Sequence, residues 1–342
     1  MQGMRRGNHG ECVGVELMDA HGVRLRAPAK VNLCLRVRGK RSDGFHELET
    51  VMAATTLTDE LLVRQANGNL PRGETRLHVS DPSVPAGEEN LVQRAVQLVR
   101  EETGFDAPLE IELHKRVPHG AGLGGGSADA AATLEGLNRL ANLGRTPEQL
   151  AEWGARLGSD VPFFFYGPVA RCEGRGERVT AWREGVPQLS LVVLFPRLHV
   201  STAAVYGALE AAPLAPTSPT PEPLRPADLF NADGGLRRDA LVNDLEAPAC
   251  RVEPALARVF SATADAPCLH RMLTGSGSAS VFYVNPDEQV ALARHLTERN
   301  LGAVFCVQTM PSMPRQSVFD LPPVEDEARI SSTPTGQEES SP

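Results

Sequence analysis

The chain has 342 residues, 41% hydrophobic and 23% charged, an ordinary composition for one large or two average globular domains. Its 34 Lys and Arg against 43 Asp and Glu leave a net charge of −9. That argues against general nucleic-acid binding, which relies on many cationic contacts to phosphates, though local donors can still hold a small anion. The six cysteines form no C-x-x-C pair, so neither a structural zinc site nor a disulfide framework is expected, only free thiols in a reducing cytoplasm. No apolar run is long enough to span a membrane. The first residues contain Arg5 and Arg6 without an apolar core, and Glu11, Glu16 and Asp19 without a serine, which suits neither a secretory signal nor an organellar transit peptide.

Residues 1–23 read as an irregular extension. From Val23, "VRLRAPAKVNLCLRVRG" alternates apolar and polar residues over stretches, as half-buried strands do. Asn90 opens a helix with Leu91, Ala95, Leu98 and Val99 on one face and Gly104 past its end. "LEIELHK" then alternates Leu109, Ile111 and Leu113 with charged neighbours, a strand with one buried face. A glycine-rich loop follows. Ser127 or a neighbour starts a helix with the stripe Ala130, Leu134, Leu137 and Ala141, and Gly144 is expected to end it. Thr146 to Gln149 spell a capping box with proline at the first helical position. Strands are expected from Leu189 and Ser280, and helices from Thr202 and from Pro286 to about Asn300. Residues 211–226 hold six prolines, which argues for a surface insertion. Beyond Met310 the chain turns rich in Pro, Ser and acid, as a disordered tail does.

"GAGLGGGS", residues 120–127, is the most informative segment. Strand, glycines, then helix is a phosphate-binding arrangement: the backbone approaches closely and the helix N-terminus offers free N–H groups. The string fits G-x-G-x-x-G, but no acid lies about 20 residues on to hold a ribose, so a dinucleotide fold is disfavoured. It fits the first half of a Walker A loop, but Gly126 stands where the phosphate-binding lysine belongs. What remains is a phosphate loop with cations from elsewhere, with Lys115 just before it and Lys30 far upstream, or a turn without a ligand.

Four segments together resemble one family: "APAKVNLCLRVRGKRSDGFHEL", "KRVPHGAGLGGGSADAA", "LGSDVPFFFYGPVARCEGRGE" and "LTGSGSASVF". Their order and wording are similar to the GHMP kinases, and within them to the 4-diphosphocytidyl-2-C-methyl-D-erythritol kinases of the non-mevalonate isoprenoid pathway. The resemblance covers roughly residues 24–310. It implies an α+β, two-domain fold: an N-terminal ATP-binding domain (24–184) like ribosomal protein S5 domain 2, and a ferredoxin-like C-terminal domain (185–310). The proline-rich insertion (211–240) interrupts the second, and the acidic tail (311–342) falls outside. It implies ATP with Mg²⁺, a small cytidine diphosphate substrate, no nucleic-acid or membrane partner, and a cytoplasmic monomer or homodimer.

The resemblance also assigns residues. The triphosphate cradle is Pro118, His119, Gly120, Ala121, Gly122, Leu123, Gly124, Gly125, Gly126, Ser127 and Ala128, with Lys115 nearby. Ser127 suits a Mg²⁺ ligand as well as a helix cap. Asp160 resembles the catalytic acid/base; from local sequence alone it is either a cap or a carboxylate held for a purpose. Lys30, a lysine in an apolar strand, is the expected ion-pair partner of Asp160. Asn32 shares its strand face and suits either the substrate or a backbone hydrogen bond. Phe45 and His46 resemble the cytidine site, although the family more commonly has Tyr at the first position; Phe keeps the stacking face. Tyr206 is the candidate for the other face of the base, and "GSGSAS" from Gly275 for a second loop closing the site. The rival readings are another GHMP kinase, of homoserine or mevalonate type, and a non-catalytic nucleotide-binding protein.

Overall fold

Two long strands form the frame of the molecule. β1 (Gly22–Lys40) pairs antiparallel with β2 (His46–Gln65) along nearly their whole length. The computed structural model describes residues 22–66, 68, 70–182, 186–210, 222–231, 234–311 and 319. The expected N-terminal extension before Gly22, residues 211–221 of the proline-rich segment and nearly all of the acidic tail lie outside the described residues.

β3 (Thr75–Val79), α1 (Leu91–Thr103), β4 (Leu109–His114), α2 (Gly125–Leu140), α3 (Pro147–Leu157), β5 (Val169–Gly174) and β6 (Arg178–Ala181) complete the first unit. Its sheet runs β3-β4-β2-β5-β6, with β1 on β2. β4 takes the C-terminal half of the free edge of β2 and β5 the N-terminal half. α1 packs on α2, which lies on β1 and β2, and Leu134 and Leu137 of α2 are wholly buried. Truncating such a leucine to alanine costs about 2–5 kcal/mol.

Asn90 caps α1 by accepting from the Val92 N–H at 2.9 Å, and the capping box at Thr146 and Gln149 is formed. α2 departs from expectation at both ends. It starts at Gly125 with Gly124 as N-cap, so Ser127 sits inside the first turn and not at the cap, and Ala141, not Gly144, terminates it.

The alternation read in β1 fails in its middle, where the residues from Ala27 to Leu35 are all buried. The strand passes through three apolar clusters in turn: Val23, Leu25 and Ala27 in one, Ala29, Val31, Leu33 and Cys34 in a second, Leu35 and Val37 in a third. Register shifts at Pro28/Lys30 and Asn32/Cys34 rotate it between them, as β-bulges do.

The rest of the chain adds β7 (Ser190–Phe195), α4 (Thr202–Glu210), α5 (Pro226–Leu229), α6 (Glu246–Val252), α7 (Pro254–Ala262), β8 (His270–Leu273), β9 (Ser280–Val284), α8 (Gln289–Glu298) and β10 (Ala303–Gln308). Their sheet is antiparallel in the order β10-β7-β9-β8. The second cluster joins the two sheets: Ala29, Val31 and Val51 pack with Leu191, Val193 and Phe305. Two expectations need correction here. The described part of the supposed insertion is packed inward, with Leu224, Leu229 and Phe230 buried in that cluster, because apolar residues alternate with its prolines. Phe319, expected in a disordered tail, is buried against Phe165 with ring centroids 5.8 Å apart. No described helix is long and apolar enough to cross a membrane.

Candidate active site

β1 and β2 build the floor of a cleft of about 720 Å³ between the two units. On β2 the residues two apart, His46, Leu48, Thr50 and Met52, share the face that lines it. On β1 Lys30 and Asn32 line it; after the bulge the next lining residue is Leu35, while Cys34 turns into the core.

Lys30 is 3% exposed. Its Nζ donates to Asn32 Oδ1 at 2.9 Å and lies 3.4 Å from Asp160 Oδ2, although the two charged residues are 130 positions apart in the chain. Asp160 follows the end of α3, on a bend anchored by buried Val161, Phe163 and Phe164, and its side chain is 33% exposed. Val161, not Asp160, occupies the N-cap of the short helical turn Pro162–Phe165. Asn32 is a junction. Its Oδ1 also accepts from Gly275 N at 2.9 Å and Thr274 Oγ1 at 3.2 Å, and its Nδ2 donates to Thr50 Oγ1 at 2.8 Å. A buried network satisfied on this scale rigidifies the lysine that depends on it.

The glycine loop lies against this network. Gly120, Gly122 and Gly124 all have positive φ. The Lys30 N–H donates to the Leu123 carbonyl at 2.8 Å, and the Ala279 N–H to the Ala121 carbonyl at 3.0 Å. A Cβ on Gly122 would stand 2.3 Å from the Thr274 carbonyl, and one on Gly124 2.8 Å from Lys30 Cγ, so both positions need glycine for close approach. Ala121, Leu123 and Ala128 turn their side chains into the core, leaving backbone as what they can offer a ligand. Pro118 is partly exposed and His119 exposed. Gly125, Gly126 and Ser127 form the first turn of α2, which contains no acidic residue to offset its N-terminal partial positive charge. A Cβ on Gly158 would lie 3.9 Å from Ser127 Oγ, so that hydroxyl neighbours the bend that carries Asp160.

Lys115 is situated differently from the rest of the expected cradle. Its Nζ is sealed beneath the loop between Asp59 Oδ2 at 2.5 Å and Asp129 Oδ2 at 2.7 Å. Asp59 Oδ1 accepts the Arg116 and Val117 N–H groups as well. Burial opposes the ammonium charge, but Asp129 and Asp59 more than offset it, and the Lys115 pKa is raised. Asp129, with one oxygen buried and without a hydrogen-bond partner, is pushed well up by desolvation and by Asp59.

At the other end of the cleft, Phe45 is an exposed aromatic, 51% accessible, at the last position of the turn joining β1 to β2, where its carbonyl accepts the Arg41 N–H. His46 is buried and stacked on Tyr206, with centroids 5.2 Å apart and planes 26° from parallel. Tyr206 therefore backs His46, and both it and Phe45 line the cleft. Burial, then Asp160, raise its phenol pKa, so it stays neutral. Thr202, one turn before Tyr206 on α4, shares a 2.8 Å hydrogen bond with Ser276 and so ties this wall to the second glycine loop.

Lys30, Asn32, Phe45, His46, Gly122, Gly124, Asp160, Tyr206 and Gly275 thus line one cleft. Sequence reasoning missed Thr50, Thr274, Asn243 and Arg175. The alternation of "HELETVM" carried a signal for Thr50; Asn243, which clamps the Leu273 and Gly275 carbonyls at 2.8 and 2.9 Å, has none outside three dimensions.

Residues 90–168, which hold the glycine loop and Asp160, match the family model "GHMP kinases N terminal domain". Over 274 residues the chain is 41% identical to a 4-diphosphocytidyl-2-C-methyl-D-erythritol kinase of Moorella thermoacetica, covering 78% of this chain and 91% of that protein. The chain belongs to this kinase family. A relative from Geobacter sp. (strain M21) is 39% identical, covering 79% and 91% of the two chains. A crystal structure of a 4-(cytidine 5'-diphospho)-2C-methyl-D-erythritol kinase superposes with a TM-score of 0.65 at 34% identity, over 84% of this chain and all of that one. A homoserine kinase from Cytophaga hutchinsonii (TM-score 0.59, 20% identity, 85% and 95% coverage) shares the fold. The GHMP kinase fold, with mixed helix and strand and two sheets, is therefore that of this chain.

Proposed function

We propose that the chain transfers the γ-phosphoryl group of ATP to the 2-hydroxyl of 4-diphosphocytidyl-2-C-methyl-D-erythritol, a step of non-mevalonate isoprenoid biosynthesis. The observation that carries this reading is the Lys30–Asp160 pair, 3.4 Å apart in the cleft beside the glycine loop. Phosphoryl transfer to an alcohol needs a triphosphate cradle, an in-line hydroxyl and a group that takes its proton. Asp160, open on one side, accepts the hydroxyl proton as the oxygen attacks phosphorus and ADP leaves. Lys30 holds that carboxylate and places positive charge by the reacting oxygen. Within residues 118–128, the N–H groups of the loop after Pro118 and of the first turn of α2 up to Ser127 serve the triphosphate.

Among the described residues no group of three or more His, Cys, Asp or Glu could hold a metal by itself. This suits Mg²⁺, which binds through substrate phosphates and water with one or two protein oxygens. Ser127 Oγ and Asp160 are the protein oxygens that would hold it, and the ion would neutralise charge on the β- and γ-phosphates.

Phe45 supplies a flat face for a cytosine, with His46, held by Tyr206, beside it. Phe45 and His46 favour a nucleobase over the plain polyol or amino acid of a mevalonate or homoserine kinase. We further read the first sheet with α1–α3 as the S5-like unit and β7 to β10 as ferredoxin-like; the order β10-β7-β9-β8, helices between β7 and β8 and α8 between β9 and β10 support the latter. ADP release measured with the cytidyl substrate, homoserine and mevalonate tests the reading. Turnover is expected with the first alone; turnover of either other compound without it overturns the substrate.

A further inference from the structure

We propose that Arg175 is the specificity residue that receives the diphosphate of the substrate. The inference rests on the reading of that substrate as a cytidine diphosphate. Such a molecule places two phosphates between a base at the Phe45 and His46 end and a hydroxyl at the Lys30 and Asp160 end. Two charges or more must then lie in the middle of the cleft, and a desolvated anion needs a cation.

The described lining of the cleft contains one lysine, Lys30, and one arginine, Arg175. Lys30 is committed to Asp160 and Asn32. Arg175 sits at the tip of the hairpin turn between β5 and β6, flanked by Gly174 and Gly176, both at positive φ. A Cβ on Gly176 would be 3.8 Å from Asp160 Oδ1, so the turn runs alongside the reacting carboxylate. In the other direction the Arg175 guanidinium lies 4.8 Å from the centre of the Phe45 ring. The side chain therefore spans the interval between the base end and the hydroxyl end.

Its pairing differs from that of the arginines around it. Arg41 is held by Asp43 at 2.9 Å and Glu47 at 3.0 Å, Arg178 by Glu47 at 2.5 Å, and Arg38 by Glu49. Arg175 Nε is 4.0 Å from Glu177, the outer limit of an ion pair, and that carboxylate already accepts the Arg175 backbone N–H at 2.6 Å. The guanidinium rests on an aromatic face, which holds it in place without neutralising its charge. A planar fork of donors so held is suited to two phosphate oxygens at once.

The test is binding of cytidine and CDP by calorimetry, without turnover, to the wild type, Arg175→Gln and Arg175→Lys, with thermal melts to confirm folding. Wild type is expected to prefer CDP. Arg175→Gln should lose about 10-fold or more of its CDP affinity, as expected for a hydrogen bond to a charged group, and keep its cytidine affinity within about twofold. Arg175→Lys should recover part of the loss. KM for the cytidyl substrate should rise in step in Arg175→Gln, with KM for ATP unchanged. Equal weakening of CDP and cytidine, or no change in either, overturns the proposal. A wild type that binds neither compound overturns the substrate reading itself, and the proposal with it.

Discussion

Two lysines lie against the same glycine loop in opposite circumstances. Lys30 touches it from the cleft side, paired with a single carboxylate that is a third exposed. Lys115 lies beneath it; its side chain is 4% exposed, as is that of Lys30, but its two carboxylate partners are themselves sealed. The first pair is loose at 3.4 Å and has solvent on the Asp160 side. The second makes contacts at 2.5 and 2.7 Å and has none. In the cleft the open group is the Asp160 carboxylate, whereas beneath the loop the ammonium and both its carboxylates are enclosed. The Lys115 ammonium is engaged by Asp59 and Asp129 directly behind Gly125, where it supports the loop.

The largest expected effect tests the pair in the cleft. Asp160→Asn and Lys30→Met should each lower kcat by about 10²–10⁴, the usual worth of a positioned proton acceptor and its partner. Asp160→Asn leaves the buried Lys30 ammonium with Asn32 but without its ion-pair partner, so the unfolding midpoint should fall as well. Near-native turnover in either variant would remove the pair from the mechanism. Lys115→Met is the counterpart in the sealed site. It leaves two buried carboxylates facing each other, and should cost about 3–5 kcal/mol in denaturant unfolding. A loss no greater than that of Lys30→Met would erase the distinction between the two lysines.

A smaller effect tests the loop between them. Gly122→Ala meets the Thr274 carbonyl and a positive φ together, and should cost more than about 1 kcal/mol and raise KM for ATP. Gly144→Ala, with a positive φ and nothing within 4 Å, should show the conformational part alone and leave KM unchanged. The smallest effect is one of pH. Because desolvation and Asp59 raise the Asp129 pKa above 3.8, the folded state binds a proton there more tightly than the unfolded chain. The stability this adds is present at acid pH and is lost as pH rises through the folded value. Asp129→Asn, which resembles the protonated form, should therefore gain on wild type in melting temperature as pH rises from about 4, the ordinary carboxylate value, toward neutrality. A constant difference across that range would show that Asp129 carries no such shift.

Much of the cleft was legible in the sequence because its motifs are local. Glycines between a strand and a helix, a lysine inside an apolar strand and an aromatic–histidine pair each state a chemical need within a few residues. The loop positions at Gly122 and Gly124 could be named that way, since a Cβ there has no room. The ends of α2 were misread because Ser127 and Gly144 have the chemistry of caps, while the backbone turns at Gly124 and Ala141. The burial of Leu224, Leu229 and Phe230 was hidden by the prolines among them. β2 was overlooked although it is among the longest elements, because it is covered on both faces over much of its length and its period-2 signal fades there.

What the sequence by itself determined is the set of groups and their local backbone needs: glycines where side chains do not fit, a capped α3, and a family resemblance carried by four short segments. Only the tertiary structure decided which cation meets which anion. Lys30 reaches Asp160 across 130 positions because β1 and the bend after α3 pack on a common core, and Lys115 is enclosed because β2 and α2 bring Asp59 and Asp129 to it. Charge pairing over such separations depends on packing of the intervening chain, and packing is a property of the whole fold and not of any segment in it.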